Sequence, residues 1–154
     1  MYKKLINTSA WLGIFMLFTL LLSTNVIAQI EDITPPSLDS FSFTPTTIDV
    51  STEGQTVTAT LQITDDISGF GSGSVYFGSP SGTQIVFGNI SRISGDALNG
   101  TYQALVIIPR FSELGTWQVS PFILLKDLAN NGDSMSTSEL ATMGFPTELN
   151  VTWE

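Results

Sequence analysis

The chain contains no cysteine and no histidine, and only five lysines and arginines among its 154 residues. Each absence removes a class of function. Without cysteine there is no disulfide framework, so stability must come from a packed core, bound ions or neighbouring domains. Without histidine a nucleophilic triad lacks its usual base, and zinc hydrolases lose their common nitrogen and sulfur ligands. The scarcity of cations excludes nucleic acid as a partner, because phosphate binding relies on clustered Lys and Arg. The apolar run Ala10 to Leu22 spans thirteen residues, short of the roughly 20 needed to cross a bilayer.

That run follows Lys3 and Lys4 and leads into a short polar stretch ending Val26-Ile27-Ala28. Residues 1–28 therefore read as a secretory signal peptide cut after Ala28. No cysteine lies near the cut to carry a lipid anchor. The remaining chain, about 126 residues, suits a single domain. It is expected to be soluble, secreted or periplasmic, and free of the membrane once the leader is removed. Arg92, Arg110 and Lys126 are then its only basic residues against fourteen carboxylates, formally −11. Such acidity serves solubility, or else some of the carboxylates are ion ligands.

Residues 29–36 form a lead-in stiffened by Pro35 and Pro36, where neither helix nor central strand is expected. From residue 37 onward the text is β-rich and punctuated by Gly, Pro, Ser and Asn. In Thr56 to Thr64, Val57, Ala59, Leu61 and Ile63 alternate with Thr and Gln, a period of two that buries one face. Noisier runs follow at Ser74 to Gly78, Gln84 to Phe87, Thr101 to Ile108, Thr116 to Lys126 and Leu149 to Trp153. Leu38 to Phe43 and Thr47 to Val50 complete seven or eight short strands. This spacing predicts an all-β fold over residues 37–154, an antiparallel β-sandwich. Pro121 predicts a bulge or an edge position. One helix is expected before the last strand, with Ser136 as N-cap, Glu139 as its capping-box partner and Gly144 as a stop. Leu140 and Met143 would plug one end of the fold.

Catalysis finds little to work with. Asp65 and Asp66 are adjacent, but neighbours at a strand end point apart, unlike the facing carboxylates of a glycosidase. A non-catalytic protein is expected. Calcium fits the residues better, since it takes six to eight oxygens from carboxylates, asparagine amides and carbonyls. Its candidate ligands are Asp32 in the lead-in, Asp65 and Asp66 after the clearest strand, and Asp127, Asn130 and Asn131 in the stretch KDLANNGD. If the strands before these turns run the same way, their exit loops share one end of the fold. Each residue also has a plainer use, because Asp and Asn cap turn backbones and tolerate left-handed conformations.

Several segments together resemble a bacterial extracellular immunoglobulin-like repeat with cadherin-like, adhesin-type relatives. They are Asp32-Ile-Thr-Pro-Pro, TATLQITDDISG from Thr58 to Gly69, Gly115-Thr-Trp117, Asp127-Leu-Ala-Asn-Asn131 and Leu140-Ala-Thr-Met-Gly-Phe-Pro146. The resemblance spans nearly the whole exported chain. It implies an immunoglobulin-like sandwich acting in structure or cell adhesion, with Asp127 and Asn131 as calcium ligands opposite Asp65 and Asp66. Asn130 stands where that pattern has glycine, a mild departure because asparagine also accepts a left-handed backbone.

A rival reading is a carbohydrate-binding module using Tyr76, Tyr102, Trp117 and Trp153 as a platform for polysaccharide. Against it, aromatics in a sandwich are mostly core, and Phe41, Phe43, Phe77, Phe87 and Phe122 read that way too. A third reading is contact with a cell-surface protein.

Overall fold

A computed structural model describes residues 30–154; the expected signal peptide lies outside the described residues. The elements in chain order are β1 (Ser37–Thr44), β2 (Thr47–Asp49), β3 (Gln55–Thr64), β4 (Phe70–Gly78), β5 (Ile85–Gly95), β6 (Asn99–Ile108), β7 (Gly115–Asp127), β8 (Gly132–Ser136), α1 (Thr137–Thr142) and β9 (Glu148–Thr152). Among the described residues the fold is all-β with one short helix. Those residues make nine strands where the sequence suggests seven or eight. They form one mixed sheet in the order β1-β3-β6-β5-β4-β7-β9-β2, with β8 also paired to β7. The expectation of a purely antiparallel sheet fails at β2, which runs parallel to β9.

The sheet curls at β5. Its first half pairs with β4 and its second half with β6. The curl brings β1 over β4, strands far apart in the sheet order, so that the rings of Phe43 and Phe77 meet edge to face at 5.1 Å. The inward row of β3 is what its alternation dictates, with Val57, Ala59, Leu61 and Ile63 fully buried. Val106 and Ile108 on β6, and Val119, Ile123 and Leu125 on β7, close the same core. Pro121 sits at a bulge: Val75 pairs with Ile123 but Phe77 with Val119, leaving Tyr76 opposite three residues of β7.

Phe41, Phe43 and Phe77 are core, as read from the sequence, but Phe87 and Phe122 are not. Phe87 is 56% exposed and Phe122 is half-buried. The reason is local. Ile85-Val86-Phe87 is a continuous apolar run without alternation, so its facing is set by Gly88, which presses on β6. A Cβ at Gly88 would lie 2.4 Å from the carbonyl oxygen of Leu105, and that contact leaves Phe87 turned to the outside. Two members of the expected sugar platform are interior instead. Tyr102 is buried, and Trp117 is fully buried with its indole N–H donating to the Glu113 carbonyl at 2.7 Å.

The helix starts as expected, on a complete Ser136–Glu139 capping box. Leu140 is buried beneath it, whereas Met143 is half-exposed and does not help to plug the end. On the free side of β8, the backbone N–H of Ser134 donates to the Asp133 carboxylate at 2.8 Å and that of Ser136 to Glu139 at 2.8 Å.

Trp117→Ala is expected to cost about 3–5 kcal/mol, read as a lower urea midpoint at unchanged slope. A midpoint equal to that of the parent would show that the indole carries none of the core.

Candidate metal centre

Three turns meet at one end of the curled sheet. The first follows β3, where the Asp65 side chain folds the loop around itself. Its Oδ1 accepts the N–H of Gly69 at 2.6 Å and that of Ile67 at 3.2 Å. Gly69 has φ +88°, and a Cβ there would come within 2.6 Å of the Ala97 side chain, so only glycine closes this loop. The second turn follows β7. Asp127 Oδ1 accepts the Asn131 backbone N–H at 2.7 Å and its Oδ2 accepts Asn131 Nδ2 at 2.6 Å. The two turns are tied to each other, with Leu128 N–H donating to the Gly69 carbonyl and Ala129 N–H to Ser68 Oγ.

The lead-in docks onto both. Asp32 Oδ1 accepts the N–H of Thr34 at 3.1 Å and Oδ2 that of Ser68 at 2.9 Å, while its backbone carbonyl accepts Asn131 Nδ2 at 3.0 Å. The Ser68 hydroxyl does most to hold the Asp32 carboxyl below its ordinary pKa. Desolvation opposes it, and the N–H groups of Thr34 and Ser68 add smaller contributions in the same direction as the hydroxyl.

One carboxylate oxygen each from Asp32, Asp65 and Asp66 lies within 4.8 Å of the others. The Oδ2 of Asp65 is buried and has no hydrogen-bond partner. A charged oxygen withdrawn from solvent and left unpaired is costly, and gathering like charges around it adds to the cost. A hard cation removes both penalties, and the all-oxygen donor set is the type that calcium takes.

The six residues singled out in the sequence thus divide by environment. Asp32, Asp65 and Asp66 converge. Asp127 and Asn131 lie beside them, but both Asp127 oxygens accept from Asn131, whose amide in turn holds Asp32 in place. Asn130 does adopt the left-handed backbone, at φ +76°, but its Oδ1 accepts from Lys126 Nζ at 2.7 Å and the residue is exposed. Sequence reasoning missed Ser68, which serves Asp32 with its N–H and hydroxyl while that hydroxyl also accepts the Ala129 N–H of β7's exit turn. The clue was the aspartate four residues before a glycine, which marks a loop coiled around its own carboxylate.

Residues 31–145 match the model of a family described as Domain of unknown function (DUF7035). The chain belongs to that family. All the converging carboxylates of this DUF7035 domain lie within the matched residues, as do eight of its nine strands. No curated protein and no solved structure matches the chain.

Because its folded pKa is lowered, Asp32 contributes stability that is present above the ordinary carboxylate range and lost as pH falls through the folded value. The melting temperature of the ion-free protein is therefore expected to drop below about pH 4, and Asp32→Asn should flatten part of that drop. Parallel pH profiles for parent and variant would show that the lead-in is not held through this carboxylate.

Proposed function

We propose that this DUF7035 domain is an exported, non-catalytic structural or adhesive module of immunoglobulin-like sandwich type, stapled at one pole by calcium. The sandwich reading draws support from the curl at β5, the single core shared by both arms of the sheet, and β2 lying parallel beside β9. The ion reading rests above all on the unpartnered Oδ2 of Asp65, a member of the three-carboxylate cluster.

In this reading Asp32, Asp65 and Asp66 hold the ion. Asp127 and Asn131 act behind them, locking the β7 exit turn and the carbonyl of Asp32. The cation then joins the lead-in to the body of the domain, which suits a module whose work is to transmit force or keep a fixed orientation. An acidic, disulfide-free exported protein has good use for such a staple, since extracellular calcium sites work at dissociation constants of roughly 10⁻⁴ to 10⁻³ M.

At about a hundredfold excess over the dissociation constant, an ion bound only to the folded state adds roughly 2.7 kcal/mol, or about 10 °C of melting temperature for a domain of this size. Calorimetry in calcium and in chelator measures it. Asp65→Ala should abolish the difference, while Asp133→Ala, outside the cluster, should keep it. Superimposable melts in calcium and chelator would reduce the carboxylates to turn-formers.

A further inference from the structure

The outer face of β5, β4 and β7 has a composition unlike the rest of this acidic molecule. Three aromatic rings cross it side by side, one per strand. Phe87 lies 5.4 Å from Tyr76 with planes 31° apart, and Tyr76 lies 5.2 Å from Phe122. The row is not a leak from the core. The neighbouring residues Val75, Phe77 and Ile123 point inward and are fully buried, so the strand period places Tyr76, Phe87 and Phe122 outside by construction. The bulge at Pro121 advances Phe122 until it meets Tyr76.

Around the rings stand neutral groups that both donate and accept. Ser74 Oγ donates to Asn89 Oδ1 at 3.2 Å on one side of Tyr76. Beyond Tyr76, where Gly78 pairs with Gln118, the face runs into a groove of about 490 Å³. Its lining carries no charged residue, and its polar groups are those of Ser79, Ser81, Thr116, Gln118 and Ser120. Glu113 stands at its rim, where it accepts from the hydroxyl and N–H of Ser81. In a chain with fourteen carboxylates, a face built of rings, hydroxyls and amides, with Lys126 as the one cation on its β7 row, selects against charged partners.

We propose that this face binds an extended, neutral, β-linked polysaccharide. Pyranose rings present C–H faces that pack on aromatic rings and equatorial hydroxyls that donate and accept at once, which Ser, Thr, Asn and Gln answer in kind. The occupant is neutral because the one cation on the β7 row, Lys126, is engaged by Asn130 Oδ1, and the net charge of the molecule repels polyanions. The site stands apart from the candidate metal centre and does not depend on it. It also differs from the platform read from the sequence, of which only Tyr76 belongs to it; Phe87 and Phe122 replace the buried Tyr102 and Trp117.

Affinity electrophoresis of the exported protein through gels containing hydroxyethylcellulose, xylan, galactomannan or polygalacturonate tests the proposal. At least one neutral glycan should retard the protein and polygalacturonate should not. Tyr76→Ala and Phe87→Ala should each weaken that retardation by about fivefold or more, on the scale of the roughly 1–3 kcal/mol found for a nucleic-acid base stacked on an aromatic ring. Trp153→Ala, at a separate aromatic contact with Phe111, should leave it intact. Both ring variants remove exposed or half-exposed side chains, and unchanged melts will confirm that they fold. Failure of every neutral glycan to retard the protein overturns the proposal, as does retardation that survives both ring variants. So does a result in which the variants abolish only a concentration-dependent dimer, which would make the face a contact between copies.

Discussion

The curl of the sheet is the constraint on which everything else rests, and packed side chains, with a few backbone bonds such as Phe111 N–H to the Val50 carbonyl, hold it closed. With no disulfide available, the inward rows of β3, β6 and β7 must close over one another, and the Phe43–Phe77 contact marks where the two arms meet. Because that core is dry and continuous, each strand has only one face left for solvent. The alternation that fills the inside therefore decides, residue by residue, what the outside can offer. The aromatic row and the converging carboxylates are two products of the same bookkeeping of faces, one on a strand surface and one at strand ends.

At the carboxylate pole the chain solves a problem of backbone satisfaction before any question of ligands. The loop after β3 and the turn after β7 each coil around an aspartate that accepts their interior amides, and the lead-in is held between them through both its side chain and its carbonyl. Turn capping and ion binding are thus not rival readings of the same residues. Asp127 and Asn131 spend their polar atoms on each other and on the lead-in, whereas Asp65 uses one oxygen on its own loop and leaves the other free.

Much of this was legible in the sequence, for reasons that differ by element. The β3 alternation has one interpretation because it is long and uninterrupted, and the capping box at Ser136 is a local device that no distant contact overrides. That the turns after β3 and β7 share one end could be read from the shared direction of those strands, with Asp32 brought there by the reach of the lead-in. What escaped was set by tertiary packing. β8 is written Gly132-Asp-Ser-Met-Ser136, a composition of turns, and becomes a strand only because β7 is long enough to template it. The mixed character of the sheet arises where β2 crosses to lie beside β9, which no local pattern announces. Phe87 was misread because its facing depends on the contact of Gly88 with β6, a relation between segments far apart in the chain.

The carboxylates of Asp133 and Glu139, set against the outer amides of β8, have a consequence for the molecule at high concentration. A five-residue strand at the margin of a sheet is a template for chains that would extend it, and fibril growth begins at such margins. Here the template is blunted by negative charge and two of its backbone donors, the N–H groups of Ser134 and Ser136, are already engaged, so an incoming strand would have to displace two anions to pair with them.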